Sequence, residues 1–243
     1  MTDDALLAHA RRLWTTLAAT PVTFSTAPVG VAVSPRSRLC PPGWVGIVTL
    51  GDAAIATAPD DHTAEIVRRA LDGRPAVAVT DPAAVGHRLP IGEVLGPAIL
   101  AYCDPAQFRP GASGAVPLVP ADHADLAALL ARVPAGDAAE SGLDEITSPA
   151  FVVRGASGII AAAGYRAWPG GAAHLSVLTA PAERGRGLAR IVAAAAVTAA
   201  LRAGLLPQWR ARPAESRRVA RALGFRELGT QLSIRLTLAG RPD

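Results

Sequence analysis

Lysine is absent from this chain of 243 residues, and all 24 of its basic residues are arginine. Aromatic residues make up only 4%, and there are only two cysteines. Each scarcity excludes something. Cys40 and Cys103 stand alone, so they build neither a zinc site nor a disulfide scaffold and read as reduced thiols. The arginines lack the interleaved aromatics that a stacking platform for nucleic-acid bases needs. The longest apolar run, residues 191–201, is bounded by Arg190 and Arg202. It is far shorter than the ~20 residues of a membrane span. The start Met1-Thr2-Asp3-Asp4 is acidic, without the basic opening of a signal peptide. The expectation is a soluble, cytoplasmic protein with no membrane partner.

What the chain does contain is small aliphatic residues and an uneven charge. Half its residues are hydrophobic, enough for a core, and its formal charge is +4. Residues 183–235 hold eleven arginines against Glu183, Glu215 and Glu227, a net of 11 − 3 = +8, so the rest is net negative. A basic segment without stacking aromatics suits a polyanionic small molecule better than a nucleic acid.

The segment contains Arg184-Gly185-Arg186-Gly187-Leu188-Ala189, between an apolar run ending at Thr179 and an alanine-rich helical pattern over residues 188–203. Strand, glycine-rich turn and helix form an anion-binding arrangement, because the first amides of a helix have no intrahelical acceptor and carry the positive end of its dipole. Glycines at 185 and 187 remove the Cβ atoms that would hold a phosphate away. The string lacks the Gly-Lys-Ser/Thr ending of a nucleoside triphosphate loop and the Gly-x-Gly-x-x-Gly of a dinucleotide fold.

The order of elements is α+β. Asp3 or Asp4 caps a first helix whose apolar face is Leu6, Leu7, Ala10, Leu13, Trp14 and Leu17, ended by Pro21. Residues 22–26 and 29–33 read as short strands, and 44–50 and 53–58 as a hairpin about Gly51-Asp52. Asp60 or Asp61 starts a helix that stops at Asp72-Gly73. Residues 76–79 and 98–102 read as buried strands. Residues 1–108 thus form a small α+β unit, and 109–115 a linker. Beyond it come a strand at 116–119, a helix capped by Asp122 and a second helix over 137–146. Strands at 151–154, 159–168 and 173–179 precede the glycine loop. After its helix come a strand at 208–212, a helix at 214–223 and terminal strand segments at 227–238.

With Arg184-x-x-Gly187-x-Ala189 after its third meander strand, the part from 116 to 243 resembles the GNAT superfamily of acyl-CoA-dependent N-acetyltransferases, whose loop reads Gln/Arg-x-x-Gly-x-Gly/Ala. A second match runs from Ser216 through Gly224-Phe225, where the family often shows Asn-x-x-Ser/Ala and later Gly-Phe; Pro213 replaces the asparagine. The resemblance covers about half the chain. It implies a mixed, mostly antiparallel sheet flanked by helices, preceded by the smaller α+β domain. It also implies acetyl-CoA as acyl donor and an amine as acceptor. Val177 and Thr179 would pair with the pantetheine amides, and Arg184, Gly185, Arg186, Gly187, Leu188 and Ala189 would hold the pyrophosphate. Arg217 or Arg221 would meet the ribose phosphate, with a solvated helix face as the other reading. Ser216 reads as a helix cap with a second role beside the cofactor.

The family's usual acid, a tyrosine, falls on Ala220 and is missing. His174 is the nearest ionisable candidate, as a base or water relay, against a purely structural histidine. Glu140 and Glu145 lie on the helix that commonly borders the acceptor pocket and would attract a cationic amine; exposed helix carboxylates are the other reading. Tyr165 and Trp168 would wall the pocket or simply pack. No metal is implied. The alternative to an enzyme is a catalytically inactive acyl-CoA-binding regulator or scaffold. Thr57-Ala58-Pro59 echoes Thr179-Ala180-Pro181, so residues 1–108 read either as a degenerate copy of the same fold or as a coincidence of composition. In both cases that half would shape an acceptor site or an oligomer contact such as a homodimer.

Overall fold

The computed structural model describes residues 4–26, 29–111, 115–156 and 158–237. The chain divides into two compact units, Met1–Leu100 with Glu227–Asp243, and Ala101–Arg226. Residues 112–114 of the expected linker, and Asp3, lie outside the described residues.

In the first unit, α1 (Ala5–Ala18) starts at Asp4, whose carboxylate accepts the Leu7 amide at 3.3 Å. It buries Leu6, Ala10, Leu13, Trp14 and Leu17. β1 (Gly30–Val33) runs parallel to β3 (Ala53–Ala58), which forms the expected hairpin with β2 (Val45–Leu50). Both hairpin strands are buried along their whole length. α1 packs against β2 on one face, and the apolar side of α2 (Asp61–Leu71) joins Val45, Ile47, Ala54 and Ala56 in a core on the other. Asp60 caps α2. The unit continues through α3 (Pro82–Gly86) and β4 (Ile91–Tyr102), whose last two residues belong to the second unit.

Two expected strands of this unit are corrected. Residues 22–26 make only an isolated bridge, Ser25 to Ala54. Residues 76–79 form a 3-10 turn at Ala76–Ala78. Ala76 and Val79 are buried while Val77 is exposed, the spacing of one helical turn and not the alternation of a strand.

After the end of β4, the second unit continues with β5 (Leu118–Val119), α4 (Ala124–Ala131) and α5 (Ala135–Ser141). The cap of α4 is His123, whose Nδ1 accepts the Asp125 amide at 3.2 Å, and not Asp122. The single helix expected over 137–146 is broken by Gly142 at φ +56°, after which a 3-10 turn runs Leu143–Glu145. β6 (Ala150–Gly155), β7 (Gly158–Trp168) and β8 (Ala172–Thr179) form an antiparallel meander. α6 (Leu188–Arg202) then returns the chain to β9 (Leu206–Ala211), parallel to β8. α7 (Ala214–Ala222) follows. β10 (Arg226–Leu236) is one strand, and it pairs antiparallel with β2 in the first unit.

Alternation along the meander separates two cores. Ala161, Ala163, Ala173 and Leu175 pack under α6 and α7. Val152, Ala162 and Leu178 pack under α4 and the 3-10 turn. Gly224 has φ +93°, and a Cβ there would lie 1.9 Å from the Gln107 carbonyl oxygen, so only glycine fits the turn before Phe225. Among the described residues the pairs β2–β3, β2–β10, β5–β6, β6–β7 and β7–β8 are antiparallel and β1–β3 and β8–β9 parallel, a mixed, mostly antiparallel arrangement flanked by helices.

Candidate functional site

β8 and β9 pair at Ala172 with Leu206, Ala173 with Pro207 and His174 with Gln208, and then no further. Both strands continue, β8 to Thr179 and β9 to Ala211, so a gap opens between them from the His174–Gln208 position onward. The Ala180 amide donates to Ile160 of β7, whereas the Tyr165 amide and carbonyl bond to Ser148 and Thr147, away from Leu175. Antiparallel pairs alternate in this way. The main-chain groups of Leu175, Val177 and Thr179 therefore point away from β7, to the side on which the gap opens. The buried hydroxyl of Thr179 has no hydrogen-bond partner.

β8 leads through a 3-10 turn, Pro181–Glu183, to the glycine loop. Gly185 and Gly187 have φ +79° and +76°, and nothing lies within 4 Å of where a Cβ would be. Gly187 is the residue before α6, and no side chain caps the helix. Its carbonyl accepts from the Arg190 and Ile191 amides, while the amides of Gly185, Arg186, Gly187, Leu188 and Ala189 take no backbone carbonyl among the described residues. A row of open amides at a helix N-terminus fits a phosphorylated group, and the unpaired edge of β8 fits an extended arm carrying amides. Both loop arginines have acidic neighbours. Arg184 is 2.6 Å from Asp137 of α5, and Arg186 pairs with Glu183.

His174 sits at the vertex of the gap. Its Nδ1 lies 2.5 Å from Gln208 Oε1, and its ring stacks on Trp168 at 4.4 Å. Its pKa is pushed down to about 3, first by burial and then by the Arg210 and Arg166 guanidinium groups, against the hydrogen bond to Gln208. The ring is therefore neutral at physiological pH. With Nδ1–H donated to Gln208, Nε2 is left as an acceptor. Gln208 is fully buried, and its Nε2 has no partner.

The acidic candidates are brought to this side of the sheet but are held by arginines. Glu140 accepts from Arg212 through both Nε, at 2.9 Å, and Nη2. Glu145 lies 2.6 Å from Arg166. Arg210 follows Gln208 by two residues, so the two share a face of β9. Burial lowers the Arg210 pKa, and Glu140 and Glu145 oppose that shift. Arg210 still keeps exposed surface. Tyr165 is not part of this group. It pairs across from Leu175 and packs under α6, on the opposite face from His174.

Ser216 is not the helix cap expected of it. α7 begins after Pro213, and Ser216 Oγ accepts the indole N–H of Trp209 at 3.0 Å. Ala220 is buried in the core between α6 and α7. Gln208, Arg210 and Asp137, which the sequence does not single out, stand beside these candidates. No local pattern marks them, because the parallel β8–β9 pairing and the fold of α5 create their neighbourhoods. Among the described residues no cluster of His, Cys, Asp and Glu could hold a metal ion.

No curated protein matches the chain. Among solved structures, a GNAT-family protein from Novosphingobium aromaticivorans is similar at 23% identity, over 59% of this chain and 65% of that one, with TM-score 0.46. A GCN5-related N-acetyltransferase from Kribbella flavida is similar at 16% identity, over 63% and 62%, with TM-score 0.48. A GCN5-related N-acetyltransferase-like protein from Streptococcus suis is similar at 16% identity, over 94% and 97%, with TM-score 0.45. The chain spans less than two thirds of the length of the first two, and at these TM-scores the likenesses carry nothing further. The family model of GNAT acetyltransferases matches residues 150–230, from β6 through the glycine loop into β10. Over those residues, a third of the chain, the protein is similar to the GNAT acetyltransferases.

Proposed function

We propose that the protein transfers an acetyl group from acetyl-CoA directly to the amine of an acceptor. The observation that carries this reading is the gap between β8 and β9 leading to a loop of open amides at Gly185–Ala189. In this reading Gly185, Arg186, Gly187, Leu188 and Ala189 bind the pyrophosphate through main-chain N–H groups, and Arg184 turns from Asp137 to assist. Val177 and Thr179 bond the pantetheine amides as an added strand would. Ser216 acts from behind, by fixing Trp209.

The bound thioester supplies an activated acetyl carbon: the amine nitrogen bonds to it, its carbon–sulfur bond breaks, and a proton passes from nitrogen to the thiolate. His174 positions the reacting amine or a water through its Nε2 lone pair. With a pKa near 3 it does not retain a proton at neutral pH, so the proton passes onward through water. Residues 116–243 are assigned this chemistry, and 1–108 an accessory role at the acceptor side or in a homodimer. The reading goes with a cytoplasmic protein. Among the described residues no helix is long and apolar enough to cross a membrane.

One observation favours a second reading, an inactive acyl-CoA-binding regulator: the position of the family's acid is the buried Ala220. Thiol release from acetyl-CoA with a broad amine panel decides, beside a Gly187→Glu control. Release that depends on the loop supports transfer. Tight binding with no release on any acceptor supports the regulator.

A further inference from the structure

Residues opposite each other in a parallel pair of strands carry their side chains on the same face. His174 and Gln208 are the last such pair before β8 and β9 part. Register alone therefore brings their side chains together, and Nδ1 lies 2.5 Å from Oε1. Trp168 stacks on the ring at 4.4 Å, with 20° between the planes. One contact holds the edge of the imidazole and the other its face. Nε2 is left on the side of the ring away from Gln208.

Gln208 is fully buried, and its own Nε2 has no partner among the described residues. A buried donor without a partner destabilises a fold. A methionine of similar size would fill the position without that cost. What the carboxamide supplies here, and methionine does not, is an oxygen opposite Nδ1. That oxygen accepts and cannot donate, so it selects the ring form with its proton on Nδ1.

We propose that Gln208 is the positioning residue of the transfer step, fixing His174 with Nδ1–H toward β9 and Nε2 as the acceptor. This deepens the acetyl-transfer reading and rests on it for the identity of the step, though not for the ring's proton. Gln208 does not touch the reacting atoms and acts through the ring. As the amine nitrogen bonds to the acetyl carbon and the carbon–sulfur bond breaks, Nε2 accepts a hydrogen bond from the amine or its water. The proton itself continues through water to the thiolate. Without the Gln208 oxygen the ring also takes the form protonated on Nε2, which presents a donor where the step needs an acceptor.

The experiment joins imidazole nitrogen NMR of the full chain at pH 7 to thiol release from acetyl-CoA with an amine panel. The His174 signals, assigned by their loss in His174→Ala, should show the proton on Nδ1. Gln208→Met should move it to Nε2 or mix the two forms. The same variant should lower kcat roughly tenfold or more, a share of what a positioned proton acceptor contributes. Its KM for acetyl-CoA should stay within about twofold, and in a His174→Ala background it should add no further loss, as expected of two residues acting as a unit. Gln208→Glu keeps an oxygen opposite Nδ1 and should retain the Nδ1–H form with part of the turnover. A wild-type ring protonated on Nε2 overturns the proposal. So does a Gln208→Met variant that loses no kcat, or loses as much without His174 as with it. Acetyl transfer stands in each of these cases. A ring held as Nδ1–H and released by Gln208→Met, with no thiol release on any acceptor, supports the positioning of the ring and overturns the transfer reading.

Discussion

His174 and Gln208 face each other across the last paired position of β8 and β9, with Nδ1 2.5 Å from Oε1. Their contact fixes a neutral ring in protein surroundings, and that has a consequence for acid stability. The folded pKa is near 3 against an ordinary 6.5, so between these values the unfolded chain binds the extra proton. The stability associated with neutral His174 is complete above pH 6.5 and is lost as pH falls toward 3, by at most about 1.4 kcal/mol per pH unit. Urea unfolding at pH 7, 5.5 and 4 should show this slope, and His174→Gln should flatten it. An equal slope in the variant would show that other groups carry the acid sensitivity. The same shift removes His174 as the source of any ascending limb near pH 6.5 in a rate profile.

Acetyl-CoA should raise the thermal midpoint, because a ligand that binds only the native state stabilises it by mass action. Gly187→Glu should abolish the rise, since its carboxylate would occupy and repel from the loop. The residue sits at φ +76°, so any side chain there also costs about 1–2 kcal/mol of backbone strain. Gly187→Ala controls for strain alone and should keep most of the rise. A full rise in a folded Gly187→Glu protein would show that the phosphate binds elsewhere.

Asp137 holds Arg184 at 2.6 Å beside the open amides. Asp137→Asn should strengthen acetyl-CoA binding by a few-fold and cost little stability, as the pair is exposed and such pairs contribute about 0–1 kcal/mol. Calorimetric Kd values at low and high salt check this. Weaker binding in the variant would mean that Asp137 orients Arg184 and does not compete for it.

Ser216 accepts from the buried Trp209 indole. Ser216→Ala leaves that N–H without a partner and should cost about 1–3 kcal/mol in chemical unfolding. Acetyl-CoA affinity, corrected for folded fraction, should change little. A selective loss of affinity would assign Ser216 to the cofactor.

Ala220 is 2% exposed between α6 and α7. Placing a large side chain there with Ala220→Tyr should lower stability by about 1–3 kcal/mol through overpacking. It should not speed thiol release. Faster turnover in a stable variant would show that the core opens toward the gap at this position.

Local rules made much of the fold legible. Asp4 and Asp60 cap the helices their positions suggest, the hairpin turns at Gly51-Asp52, and the pattern from 188 onward is α6. Failures came where a local signal had competitors. Residues 76–79 alternate in composition but lack a strand to pair with. His123 displaced Asp122 as a cap by one residue. Gly142 adopts a left-handed conformation that ends a pattern read as continuous.

The sequence by itself determined the glycine loop, because open amides after a strand depend on residues adjacent in the chain. It also determined the absence of a side-chain acid at Ala220, since no fold can add one. Tertiary structure decided which groups neutralise the two carboxylates. Glu140 and Glu145 are carboxylates in any reading of the sequence, but Arg212 and Arg166 reach them only once the strands and α5 are assembled. It also decided the character of His174, whose pKa depends on burial and on Arg210 and Arg166. Those arginines lie in other strands, and their electrostatic effect depends on distance in space and not along the chain.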